Sequence, residues 1–184
     1  MPTIETGSRR RWVVTAAVGA LAAGAGYGLF FWQSGESSRN AANPAAVEAL
    51  LAAALPDVDG RKHTLGTWRG RVLVINFWAT WCAPCREEIP EFVRMQERYG
   101  ARGLQFVGVA LDVPDKVRPF AHELGINYPL LVAGLDTMAL MREAGNRAGV
   151  LPFTLVLDRQ GNVARAHPGG FNEAKLEAVV RPLL

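Results

Sequence analysis

The chain has 184 residues, 49% of them hydrophobic, enough for one packed domain and an appendage. Its formal net charge is +3, and residues 1–32 supply most of it, with three arginines against one glutamate. The remaining 17 basic and 16 acidic residues leave no broad basic field for nucleic acid, and two cysteines in a single motif exclude a disulfide-braced scaffold.

Residues 1–11 are polar and end in Arg9-Arg10-Arg11. Residues 12–32 carry no charge and are bounded by Trp12 and Trp32. Roughly 20 apolar residues cross a bilayer core; arginines keep their end cytoplasmic, and tryptophans suit both interfaces. The expectation is a transmembrane anchor that leaves the bulk of the chain outside the cytoplasm. A cleaved export signal competes, because Ala23-Gly24-Ala25 fits a signal-peptidase site and Ser8-Arg9-Arg10-Arg11-Trp12 fits the start of a twin-arginine signal. The apolar run continues through Tyr27-Gly28-Leu29-Phe30-Phe31-Trp32, and the match after the arginines is poor, which argues for retention. Residues 33–44, small and polar, read as a linker, and residues 45–184 as the folded domain.

Residues 45–55 are rich in Ala and Leu and read as a short helix or an extended lead-in. Pro56-Asp57-Val58-Asp59-Gly60 is turn chemistry with a hairpin signal, and Leu65–Gly70 is a loop. Val72–Trp78 is a continuous apolar run, the pattern of a strand buried on both faces. Phe92, Val93 and Tyr99 then follow on helical spacing, and Leu104–Leu111 reads as a second buried strand. Strand, helix and strand in this length make a right-handed unit with parallel strands. Asp112–Leu124 is expected to contain a helix capped by Gly125, its start blurred by Pro119. Tyr128–Val132 reads as a short strand and Asp136–Glu143 as a helix capped by Gly145 or Asn146. Leu155–Leu157 is strand-like, and the turn Asp158-Arg159-Gln160-Gly161 leads into Asn162–Ala166, so the sheet is mixed. Asn172 is the expected N-cap of the last helix, with Phe171 and Leu176 as its hydrophobic staple.

The chemistry lies at the junction after the first buried strand. Cys82 and Cys85 are spaced C-x-x-C where that strand turns into a helix. The first N–H groups of a helix are unpaired and carry partial positive charge. A thiolate there is stabilised, so Cys82 is expected to be the attacking nucleophile, at or just before the N-cap with its sulfur partly exposed. Cys85 lies one turn further in, placed to resolve a mixed disulfide. Pro84 suits the first turn, whereas Pro90 is deep enough to kink the helix. Structural zinc needs four ligands, and no second cysteine pair exists. No metal or other cofactor is therefore expected. His63, His122 and His167 are scattered and read as surface residues; Phe77 and Trp78 read as core.

The segment FWATWCAPCREEIP resembles the active-site segment of the TlpA-like thiol:disulfide oxidoreductases of the thioredoxin superfamily, over about Leu55 to Leu184. The resemblance implies an α/β thioredoxin-like fold: a mixed central sheet flanked by helices, an N-terminal hairpin lead-in and an inserted helix–strand segment. It implies a periplasmic domain on a single-pass inner-membrane anchor, a disulfide-containing protein as substrate and an integral-membrane electron donor. It also implies that Pro152, in Val150-Leu151-Pro152-Phe153-Thr154, is the family's cis-proline beside the sulfurs, exposing the Leu151 backbone to substrate. Trp81 then flanks the nucleophile as a docking surface.

Asn76 occupies the place where thioredoxins usually keep a buried Asp, and Asn cannot take a proton. Glu88, three residues after Cys85 on the same face, is therefore a candidate acceptor for the Cys85 proton; the alternative is an exposed acid that complements the helix dipole. Glu87 and Glu91 read as solvated. The peroxiredoxin pattern Pro-x-x-x-Thr/Ser-x-x-Cys, compared at Thr80, asks for Pro where Asn76 stands, which disfavours a peroxidase. Ala83-Pro84 between the cysteines offers no His to stabilise the thiolate further, which favours a reductant. Its rivals are a disulfide donor and a Cu(I) chaperone, the latter needing a third ligand that no Met or His supplies.

Overall fold

The computed structural model describes residues 42–184. The expected anchor and most of the linker lie outside the described residues; within them no helix is long and apolar enough to cross a membrane.

The lead-in is a helix. Asn43 accepts a hydrogen bond from the Ala45 N–H at 3.0 Å, and Pro44 opens α1 (Pro44–Ala52) where its missing N–H is harmless. Val47, Leu50 and Leu51 bury α1 against the sheet. A hairpin follows, β1 (Ala54–Pro56) antiparallel to β2 (Lys62–Thr64). Its turn is set by Asp57, whose carboxylate accepts from the N–H groups of Asp59 and Arg61, and by Gly60 at φ +84°. Leu65–Trp68, expected as loop, closes into a 3-10 turn that buries Leu65.

The central sheet has the order β5-β4-β3-β6-β7. Its middle strand is β3 (Val72–Trp78), joined through α2 (Ala83–Tyr99) to the parallel β4 (Leu104–Ala110). Next come α3 (Pro114–Glu123), β5 (Leu130–Val132, parallel to β4) and α4 (Leu135–Glu143). The chain ends with β6 (Phe153–Leu157) and β7 (Val163–Pro168), both antiparallel to their neighbours, and α5 (Glu173–Val180). α3 lies within the expected stretch, starts at Pro114, contains Pro119 and ends before Gly125 at φ +61°. The Asn172 cap accepts from the Lys175 N–H at 3.1 Å, as predicted.

Every residue of β3 is buried, and the two-residue period divides them between two cores. Leu73, Ile75 and Phe77 face one core with α1, joined by Val107, Val109, Phe153, Leu155 and Leu157. Val72 and Val74 face the other with Phe92, Met95, Leu104, Phe106 and Val156. Asn76 and Trp78 fall on that second face, the face covered by α2. Register places Gly108 on one side of Asn76 and Thr154 on the other. The row beneath the start of α2 is therefore small and polar, whereas the residues of β3 before it are apolar.

Gly108 is small because its neighbours fill the space: a Cβ there would lie 2.5 Å from Leu130 Cδ2 and 3.1 Å from Trp78 Nε1. Gly108→Ala should destabilise the domain by about 1–3 kcal/mol through overpacking, read as a lower denaturant midpoint; an unchanged midpoint would show that this row has slack.

Candidate active site

Cys82 is the N-cap of α2, extended at φ −86° and ψ 102°, and its carbonyl accepts the first helical bond from the Arg86 N–H at 3.2 Å. Cys85 lies one turn on, with 5.3 Å between the two Cα atoms, and the pair forms a disulfide. Cys82 keeps 5% of its surface and Cys85 none. Cys82 is therefore less open than the sequence reading expected, because Ala79, Leu151 and the aromatic floor of Trp78 and Phe120 close around the pair. Of the two cysteines it alone keeps any exposed surface for an incoming group. Pro84 falls in the first turn, and α2 runs on through Pro90 to Tyr99.

Glu88 is not an exposed acid. It is 4% exposed and points into the small, polar row. Its Oε1 accepts from Asn76 Nδ2 and its Oε2 from the Phe171 N–H, each at 2.8 Å. Asn76 Nδ2 also lies 3.2 Å from Thr154 Oγ1, while Asn76 Oδ1 is buried with no partner among the described residues. Burial disfavours the carboxylate more than these two hydrogen bonds favour it, and Glu91 adds like charge, so the Glu88 pKa is pushed up to about 7. That places its proton exchange in the neutral range, one helical turn from Cys85. Tyr128 is buried nearby, and desolvation with the Glu88 charge raises its phenol above the ordinary range.

The Leu151–Pro152 peptide is cis, and Pro152 O accepts from the Gly169 N–H at 2.8 Å. Leu151 packs against the cluster that holds both cysteines. Its own N–H and C=O have no hydrogen-bond partner among the described residues. Trp81 is 70% exposed next to Cys82. The loop that carries Trp81 is fastened from behind: Asp112 Oδ2 accepts from the Thr80 N–H at 3.2 Å and from Thr80 Oγ1 at 2.5 Å. These bonds hold the Asp112 pKa down, although burial opposes them.

Other sequence expectations need correction. Glu91 is half-buried, and its carboxylate accepts from the Glu173 N–H at the start of α5. His122 is exposed, but His63 and His167 are half-buried. His63 pairs with Asp57 at 2.9 Å, and His167 stacks on Phe171 with ring centroids 4.1 Å apart. Thr154 and Asp112 were given no role by sequence, and Phe171 was read only as a helix staple. Phe171 N–H and Thr154 meet Glu88 and Asn76 from 83 and 78 residues away, a spacing that no local pattern reports.

The AhpC/TSA family matches residues 48–173. The thiol-disulfide oxidoreductase ResA of Geobacillus thermodenitrificans is 32% identical over 116 residues, 62% of this chain and 64% of that protein, so the match spans slightly less than two thirds of that relative. ResA of Halalkalibacterium halodurans is 26% identical over 92% of both chains. The thiol:disulfide interchange protein HelX of Rhodobacter capsulatus is 34% identical over 62% of each. Among solved structures, a thioredoxin family thiol:disulfide interchange protein from Chlorobium tepidum is similar at 29% identity and a TM-score of 0.63, covering 71% of this chain and 92% of that one. The TlpA-like resemblance read from the motif segment agrees with these relatives. The chain belongs to the AhpC/TSA family and is a thioredoxin-fold thiol–disulfide oxidoreductase.

Proposed function

We propose that this oxidoreductase is a membrane-tethered reductant of protein disulfides that works on the periplasmic side, with Cys82, Cys85 and Glu88 as its catalytic residues. In the reduced enzyme the Cys82 thiolate attacks one sulfur of a client disulfide. A Cys82–client mixed disulfide forms, and the other client sulfur leaves as a thiolate. Glu88, as carboxylate, takes the Cys85 proton directly or through water. The Cys85 thiolate then attacks Cys82 Sγ, the second client thiolate departs, and the enzyme is left as the Cys82–Cys85 disulfide seen in the structure. Two electrons pass to the client, and a dithiol on an integral-membrane partner restores the enzyme.

The observation that carries this reading is the buried Glu88 carboxyl beneath a buried Cys85. Trp81 and the Leu151 backbone supply the docking surface. The reducing direction rests on Ala83-Pro84, which adds no cation beside Cys82, and on the family resemblance. That resemblance also favours cysteines of apocytochrome c or of copper sites as clients. The location rests on the three arginines and the uncharged residues 12–32.

Cys85→Ser should stall the cycle at the mixed disulfide and allow the client to be identified by mass spectrometry; failure to accumulate any adduct would remove Cys85 as the resolving thiol. Titration against a thiol buffer should give a reduction potential on the reducing side, near the roughly −270 mV of thioredoxin; a value near about −120 mV would make the protein a disulfide donor.

A further inference from the structure

The loop that carries Leu151 and Pro152 begins at a side chain that the exchange chemistry does not use. Asn146 follows α4 and is completely buried. Both ends of its amide go to one residue: Nδ2 donates to the Val150 carbonyl at 2.7 Å, and Oδ1 accepts from the Val150 N–H at 3.2 Å. Its own backbone is held as well, its N–H donating to Met141 O and its carbonyl accepting from the Gly149 N–H at 2.8 Å. Gly145 at φ +115° and Gly149 at φ +64° allow the chain to turn back on itself around this amide. Residues 146–150 thus form a closed loop with Asn146 at its centre.

The clamp consumes the hydrogen-bonding capacity of Val150 and stops there. The next residue, Leu151, has both backbone groups free among the described residues and lies against the cysteine cluster. Val150 meanwhile presents an exposed side chain to solvent. An extended chain laid along this loop therefore finds its backbone partners at Leu151 and a side-chain contact at Val150.

We propose that Asn146 is a positioning residue that sets the register in which a client polypeptide docks beside the disulfide. The proposal deepens the exchange reading and rests on it. Its consequence is selective: a disulfide within extended polypeptide, whose backbone pairs with Leu151, loses from a displaced loop, whereas a small disulfide without a backbone does not.

The test uses the full-length, pre-reduced protein and follows its reoxidation by two probes: a disulfide-closed C-x-x-C-H peptide and hydroxyethyl disulfide. In Asn146→Ala the peptide concentration for half-maximal rate should rise about tenfold, the loss of one or two hydrogen bonds to a fixed backbone. The limiting rate and the rate with hydroxyethyl disulfide should stay within about twofold, and the reduction potential should not move. Should Asn146→Ala not fold, Gly149→Ala serves the same purpose. Its Cβ would sit 2.9 Å from Arg142 Nε and would strain the same loop without touching Asn146. The same split between probes is expected.

Equal losses with both probes would make Asn146 a purely structural residue, and an unchanged peptide half-saturation would deny it any role in docking; either result overturns the proposal while exchange stands. A wild-type protein that reduces hydroxyethyl disulfide but not the peptide would overturn the polypeptide substrate class and the register with it. A wild-type protein inert to both would sink the exchange reading itself.

Discussion

Cys82→Ser should reduce exchange with any disulfide to the uncatalysed background while leaving the fold intact. A serine hydroxyl is not ionised near neutral pH, and it forms no disulfide with a client, so neither the first bond nor the electron transfer takes place. Cys85 does not substitute for it, because it is completely buried behind Cys82. The fold should survive because the lost cross-link closes only a short loop, the case in which a disulfide constrains the unfolded chain least. Pre-reduced enzyme mixed with a disulfide peptide gives the rate, and circular dichroism gives the fold. Substantial residual exchange in a folded variant would mean that the nucleophile had been misassigned.

Glu88→Gln should slow resolution of the mixed disulfide by roughly 100-fold at neutral pH, the lower range for loss of general-base assistance. The site can accept glutamine. The oxygen of the introduced amide would keep the Phe171 N–H, and rotation of the Asn76 amide would turn its unpartnered Oδ1 toward the new NH2 group. The variant therefore removes the charge and keeps both contacts of the new side chain, at the cost of turning Asn76 Nδ2 to the place where Oδ1 had no partner. In the wild type, resolution should quicken as pH rises through about 7, where Glu88 loses its proton. That inflection should vanish in Glu88→Gln, and an unchanged pH–rate profile would take Glu88 out of the mechanism.

Glu88 also links stability to pH. Its folded pKa lies above the unfolded value of 4.5, so the native state holds this proton more tightly. Its contribution is complete below about 4.5 and is lost as pH rises through about 7, by roughly 3 kcal/mol in total. Relative to wild type, Glu88→Gln should gain stability as pH rises from about 4.5 to above 7, because it has no charge to bury.

The parts legible in the sequence were those set by local rules. The unbroken apolar run of β3 marked a doubly buried strand, and C-x-x-C at its end marked both the chemistry and the start of α2. Gly125 and Asn172 announced helix ends because a left-handed turn and a capping side chain are local requirements. The extent of β6 was underread, because Phe153 and Thr154 gain their strand character from pairing with β3 rather than from their own pattern. Burial of Glu88 was not decidable either. Its exposed reading followed from its place in the first turns of a helix, whereas its burial depends on a row of Asn76, Gly108 and Thr154 assembled from three strands. Glu91 was misread for the same reason, since its partner is the start of a helix 82 residues away. The Asn146 clamp was read only as a possible helix cap, because its use of Val150 needs the loop to be closed first.

The central claim is that the start of α2 holds the Cys82 sulfur ionised. The direct measurement is the ultraviolet absorbance of thiolate as the reduced protein is titrated, with Cys85→Ser to isolate one sulfur. The account expects Cys82 to ionise near pH 7 or below, as thioredoxin-type cysteines do, well under the roughly 8.5 of a free thiol. A Cys82 that titrates at the free-thiol value would contradict it.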